Sequence, residues 1–269
     1  MKTRDILILI GLFILAIFIW FRDISWMNSL DDTLPILIAL PLFVLLLWPW
    51  KFFETEKPLP LLPIAGVVVL FLLGIISNLT VILTMAWVAM LWIWLSRSVE
   101  SPPLDQIKKL LVLAFMGFPW VTLDAQQLGW YFRLTGAWVT GHFFSLLGAN
   151  VHREGTSMLI NMQPIEVEAA CSGLNTLQSM LIAGSIVAFI ILGHTWRYWL
   201  AIPILFVMAW IANVIRIIAL VFASLLVSPQ FALGTFHTLG GWVILMVMFV
   251  ICWGVFTLME PKTSEKVDS

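Results

Sequence analysis

A cysteine, an arginine and a histidine mark the chemistry this sequence can do. Each stands among small or polar neighbours in an otherwise apolar chain. Cys171 lies in Glu168-Ala-Ala-Cys171-Ser172-Gly173-Leu174-Asn175, Arg216 in Asn213-Val-Ile-Arg216-Ile, and His237 in His237-Thr-Leu-Gly240-Gly241-Trp242. A thiol at the start of a helix meets unpaired N–H groups and the positive end of the dipole, which favour the nucleophilic thiolate. A nearby imidazole moves a proton to a leaving amine, and a guanidinium stabilises the charge that develops on the attacked carbonyl. These are the parts of a cysteine acyl-transfer set. Glu168 is a candidate to orient His237 or to bind substrate, and Ser172, Gly173, Asn175 and Asn213 are supporting or substrate-binding candidates.

Each residue alone has a plainer reading. A membrane cysteine is usually an inert small hydrophobe, which suits Cys252 in the last apolar stretch. His237 alone reads as an interfacial histidine, and Arg216 alone as a residue satisfying carbonyls between helices. His142 and His152 are reserves in the segment before Cys171, while His194 falls on the opposite side of the membrane. No metal is expected, since the cysteines fall on different helices and no histidine pair has ligand spacing. Nor is any other cofactor called for.

The elements that must hold this set are membrane helices. Of the 269 residues 61% are hydrophobic and 11% charged, against about 45–50% and about 25% in ordinary soluble domains. A water-soluble globule cannot cover itself with so little polarity. Two cysteines exclude a disulfide scaffold, and a net charge of −1 implies no nucleic-acid partner. A bilayer of about 30 Å needs roughly 20 apolar residues per helix. That measure places spans at 6–21, 33–50, 61–78, 79–96, 107–123, 173–193, 198–226 and 237–259. Spans three and four meet at Ser77-Asn78-Leu79-Thr80, the weakest of the boundaries.

Fourteen Lys and Arg orient the chain. With the N-terminus in the cytoplasm, Lys2, Arg4, Lys51, Lys57, Arg97, Lys108, Lys109, Arg197, Lys262 and Lys266 fall inside. Arg22, Arg133 and Arg153 fall outside. An even number of spans returns the C-terminus to the cytoplasm as well. Arg216 alone belongs to neither side. At the centre of a lipid-facing helix an arginine costs about 2.5–3.5 kcal/mol, so it faces a polar cavity. Asn213 and Ser224 share its helix face by spacing. In the sixth span Ser172, Asn175 and Ser179 recur at helical intervals as a second polar stripe.

The segment 124–172 fits no simple span. Residues 129–148 are apolar and aromatic but contain Arg133, His142 and spaced glycines. They read as an amphipathic helix at the outer interface or dipping into it. Residues 149–170 form an outward loop whose weak alternation suggests a small hairpin. The fold expected is therefore an all-α polytopic membrane protein of about eight transmembrane helices. Both termini are cytoplasmic, 1–269 forms one integral domain, and an outer helix and small loop complete it.

The three blocks around Cys171, Arg216 and His237 resemble the signature blocks of the exosortase/archaeosortase family. The resemblance covers 107–259; the first hundred residues are similar only as hydrophobic spans. That family comprises polytopic membrane cysteine proteases or transpeptidases. They process proteins with a C-terminal sorting signal: a short motif (Pro-Glu-Pro in the best-known class), a transmembrane helix and a basic tail. The resemblance implies Cys171 as nucleophile, Arg216 and His237 as its partners, and membrane-anchored proteins as substrates. It also implies a bacterial or archaeal cytoplasmic membrane, with the site on the periplasmic or extracellular side. A parallel with soluble sortases lies in the residue set alone, so no sortase β-barrel is expected.

Two other readings remain. Arg216 and Asn213 could line a transporter or channel, although the sequence holds no inverted repeat of the kind such proteins show. Alternatively, the chain is a scaffold with an inert Cys171.

Overall fold

The structure, a computed structural model, describes residues 3–53, 60–167 and 171–261, without the side chains of Thr3, Arg4, Leu233, Thr235, His237 and Thr238. It is built mainly of helices and forms two compact units, 1–125 and 126–269. All candidate site residues fall in the second.

The first unit runs α1 (Thr3–Phe21), α2 (Leu30–Leu46), β1 (Lys51–Phe52), α3 (Leu61–Ser77), α4 (Thr80–Ser98), β2 (Val99–Ser101), α5 (Leu104–Met116) and α6 (Trp120–Asp124). The two short strands pair antiparallel. The boundary at Ser77–Thr80 is a real helix end. Asn78 takes a left-handed φ of 58° and closes the turn by donating to the carbonyls of Gly74 and Ile75, a conformation that asparagine tolerates. Gly74 lets α4 cross closely: a Cβ there would lie 2.8 Å from Leu83 Cδ2.

One expected span is corrected. Residues 107–123 do not form a continuous helix, because α5 stops at Met116 and α6 restarts at Trp120. Pro119 has no N–H to donate, and it disfavours helical backbone at the residue before it. A 13-residue α5 rises about 20 Å at 1.5 Å per residue, short of a bilayer core. Gly117 at the break serves two neighbours. Its carbonyl accepts from the Trp20 indole at 2.9 Å, and a Cβ there would meet Leu40 Cγ at 2.6 Å.

The second unit holds α7 (Gln126–Leu146), the strands β3 (Val151–Glu154), β4 (Ser157–Ile160) and β5 (Gln163–Glu166), then α8 (Leu174–Leu192), α9 (Tyr198–Leu226), the single turn α10 (Pro229–Phe231) and α11 (His237–Met259). The weak alternation after 149 becomes a three-stranded antiparallel meander, one strand more than a hairpin. Met158 and Ile160 point inward at 2% and 0% exposure. Asn161 and Met162 make the second turn with positive φ, 49° and 70°.

α7 runs alongside α9. Phe132 stacks edge-on against Phe206, the Trp210 indole donates to Thr135 Oγ1 at 2.9 Å, and Phe144 meets Phe222. Contacts thus advance along both helices together, so the two run side by side in the same direction. Its buried stripe is Gly129, Phe132, Gly136, Ala137, Thr140, Gly141 and Phe144, spaced at three and four residues as one helix face demands. The spaced glycines are the packing surface.

Among the described residues four helices are long and apolar enough to cross a membrane, Thr80–Ser98, Leu174–Leu192, Tyr198–Leu226 and Leu239–Met259, and Asp5–Phe21 and Leu61–Ser77 are shorter apolar helices. Leu61, Leu62 and Ile76 of α3 are at least 80% exposed. Apolar surface on this scale is stable only against lipid or another protein.

Candidate functional site

Cys171 closes a tight turn just before α8. The turn is forced by Gly173, whose φ of 74° is left-handed, and whose carbonyl accepts from Leu177 N–H at 2.8 Å to start the helix. Only glycine fits for a second reason. A Cβ on Gly173 would stand 2.6 Å from Asn213 Cγ. With that space open, Asn213 of α9 reaches over and donates Nδ2–H to the Cys171 carbonyl at 3.2 Å. Asn213 is wholly buried and thereby pins the cysteine turn to α9.

Behind the turn stands α7. A Cβ on Gly129 would meet Ser172 Cβ at 3.0 Å and Leu174 Cδ1 at 3.1 Å, so this glycine lets the turn seat against the helix. Arg133, one turn further on, donates to the carbonyl of Val167 at 3.4 Å, so α7 also holds the end of β5.

Arg216 lies three residues beyond Asn213 on α9. At 100° per residue, Asn213, Ile217, Leu220 and Ser224 fall on one face and Arg216 at its border. The expected common face therefore divides. Asn213 meets the cysteine turn, and Ser224 accepts from Gln163 Nε2 at 3.5 Å. The Arg216 guanidinium turns to α11, where a Cβ on Gly241 would lie 3.5 Å from its Nε and 3.6 Å from its Cζ. Gly241 is thus the seat of Arg216. α11 packs on both α8 and α9, and its first residue is His237, one turn ahead of Gly241. The His237 side chain and all of Glu168 lie outside the described residues. Just before His237, residues Ala232–Phe236 form a wide π-type turn with Gly234 at ψ −118°, a local distortion that often marks functional helices.

Cys171 is only 4% exposed and belongs to the apolar core with Val167, Ile217, Leu220 and Val221. Instead of sitting openly at an aqueous boundary, it lines a pocket of about 120 Å³. β5 walls one side and α9 the other, with Pro229 and Ala232 at one end. An electrophile entering this pocket meets the cysteine in low dielectric, where charge interactions are strongest.

The expected polar stripe of α8 is turned differently. Ser172, Asn175 and Ser179 are half-buried, whereas Gln178 is fully buried with no hydrogen-bond partner for its amide among the described residues. Gly173 and Asn213 are supporting residues of the turn, and Ser172 packs on α7; Asn175 occupies the first turn of α8. Three contributions were not picked out from sequence: Arg133, Gly241 and the pocket wall of β5. Arg133 stands out as a charge within the apolar segment 129–148, but nothing in the sequence names its partner. Gly241 carries no evident role in the sequence, because the arginine beside it belongs to another helix, while Gly240 faces Phe236.

No curated protein and no solved structure matches the chain. The sequence model of the transmembrane exosortase family matches residues 3–254. Since that match takes in nearly the whole sequence, from α1 through most of α11, the chain belongs to the transmembrane exosortase family.

Proposed function

We propose that this protein is a membrane cysteine endopeptidase or transpeptidase that cuts C-terminal sorting signals from exported, membrane-anchored proteins. One observation carries the reading. The Cys171 turn is tied by hydrogen bond to Asn213, one turn before Arg216, whose guanidinium rests on the helix that begins with His237.

In this mechanism the Cys171 thiolate adds to the scissile carbonyl carbon and Arg216 stabilises the resulting oxyanion. The C–N bond then breaks as His237 gives its proton to the departing amine. Water or an acceptor amine next attacks the thioester, loses its proton to His237, and the thiolate leaves. Glu168 orients His237 or binds the substrate, and the polar supports Ser172, Asn175 and Asn213 hold the cysteine turn in place.

The proposed topology has eight passages, with α5 and α6 together as one interrupted passage and α7 running outward beside the outer part of α9. Both termini are cytoplasmic. The cysteine then opens outward, on the periplasmic or extracellular face of a bacterial or archaeal cytoplasmic membrane, within one integral membrane domain. A substrate held by its own helix enters sideways from the bilayer.

The test is co-expression with a reporter ending in a Pro-Glu-Pro motif, an apolar helix and a basic tail. The native chain shortens the reporter, seen as a shift on a gel. Cys171→Ala leaves it uncut while inserting at native levels. Cutting by Cys171→Ala overturns the reading.

A further inference from the structure

The pocket beside Cys171 has a chemistry of its own. Ile165 and Val167 wall it on one side, Leu220 and Val221 on the other, and Ser224 supplies a hydroxyl. Its lining is chiefly apolar, with Glu166 as its one ionisable carboxylate and that residue exposed, so a side chain set among Ile165, Val167, Leu220 and Val221 gains most when it is apolar. Its volume is about 120 Å³. An engineered apolar cavity of about 150 Å³ holds a benzene ring, so this one suits a branched aliphatic group and excludes an indole.

The strand on its rim defines how such a group arrives. Val167 N–H donates to the Thr156 carbonyl at 3.1 Å, and Ile165 and Gln163 stand opposite Met158 and Ile160. By the antiparallel alternation, Val167, Ile165 and Gln163 bond toward β4, while Glu166 and Pro164 turn their backbone groups the other way. Pro164 falls at a position where its missing N–H costs nothing. β5 is the last strand of its sheet. Among the described residues no strand pairs with its outer edge, which therefore presents a donor–acceptor pair, the N–H and C=O of Glu166, beside the pocket that Cys171 lines.

We infer that the pocket is a substrate subsite for one branched aliphatic side chain of an extended segment. That segment adds to the open edge of β5 at Glu166 and lays an adjoining peptide bond against Cys171. The inference rests on Cys171 being the nucleophile, and it adds the side-chain class and the backbone mode of recognition. Edge pairing is indifferent to sequence, so selectivity falls to the pocket.

Acetyl-Ala-Ala-Xaa chloromethyl ketones test it, with Xaa as Gly, Val, Leu, Phe or Trp. The full chain is held in lipid nanodiscs, and alkylation at Cys171 is followed by mass spectrometry. 2-Chloroacetamide, which has no side chain to place, reports the thiol alone. The Val and Leu probes react about tenfold or more faster than the Gly and Trp probes, the discrimination typical of an apolar pocket. Ser224→Phe narrows the pocket and removes the Val and Leu preference when each rate is divided by the 2-chloroacetamide rate of the same variant. Leu220→Ala enlarges the pocket and moves the optimum to Phe, which guards against a misfolded Ser224→Phe. Equal rates for every Xaa overturn the subsite and leave the nucleophile standing. Failure of 2-chloroacetamide to label Cys171 at neutral pH overturns both.

Discussion

At the scale of single residues, Gly173 carries two demands that rarely coincide. Its φ of 74° alone costs a non-glycine residue about 1–2 kcal/mol. A Cβ there also occupies the space of the Asn213 amide. Asn213 would have to withdraw and release the Cys171 carbonyl. Gly173→Ala is therefore expected to lower the melting temperature and to slow reporter cleavage about tenfold or more, since each 1.36 kcal/mol of lost positioning is a factor of ten. Native cleavage by this variant would show that the turn is not held by its glycine. Arg216 makes a different demand. Its planar fork rests on Gly241, and lysine offers a point charge in its place. Losing one oxyanion donor typically lowers kcat about 10²–10³-fold. Arg216→Lys should fall in that range with KM little changed, measured on the same reporter. Parallel losses in kcat and folded yield would assign Arg216 a structural part instead.

At the scale of elements, α7 separates what packing requires from what it tolerates. Gly136 and Gly129 both face neighbours closely, but the neighbours differ. A Cβ on Gly136 meets Ile217 Cδ1, the far end of a flexible side chain that can rotate away. One on Gly129 meets Ser172 Cβ and the Leu174 side chain, next to the turn that carries Cys171. Overpacking of a well-filled contact costs about 1–3 kcal/mol. Gly129→Val is thus expected to displace the cysteine turn and cut activity, whereas Gly136→Ala keeps both activity and thermal stability near native. Equal effects of the two in cleavage and melting assays would deny α7 its role as a support for the turn. The elements also show what a sequence discloses. Residues 198–226 and 237–259 were legible to the residue, because a long run that is apolar but for a few polar side chains has one physical meaning in a membrane protein. The break at Pro119 was not, since the apolar residues on both sides keep the window hydrophobic across a single proline. The course of α7 was not legible either: its glycines look like flexibility until the partners that approach them are known. The turn around Cys171 lay between these cases. Its residue types were readable, but the reason for Gly173 sits forty residues away on α9.

At the scale of the molecule, the few charges remain the strongest constraint on how the chain sits in a bilayer. Arg153 lies in the β3–β4–β5 meander with its side chain donating to the Gly155 carbonyl at 2.8 Å, and Glu154 and Glu166 are exposed on the same sheet. A sheet bearing these charges belongs in water, so the strand that rims the pocket fixes which side the pocket opens to. At the other end of α9, Arg197 donates to the Met259 carbonyl at 2.8 Å, at the last turn of α11. That contact sets the start of α9 and the end of α11 at one level, with the sheet and the cysteine turn toward the other end of α9. If Lys and Arg mark the cytoplasmic side, Arg197 and the end of α11 lie inside and the sheet lies outside. Alkaline phosphatase inserted after Gly155, which folds only outside the cytoplasm, should be active; fused after Glu260 it should be silent, and a fluorescent protein there should glow. Activity at both phosphatase sites would put the end of α11 and the sheet on one side, which a single passage of α9 between them forbids. The reverse pattern would turn Cys171 toward the cytoplasm and remove it from any exported substrate.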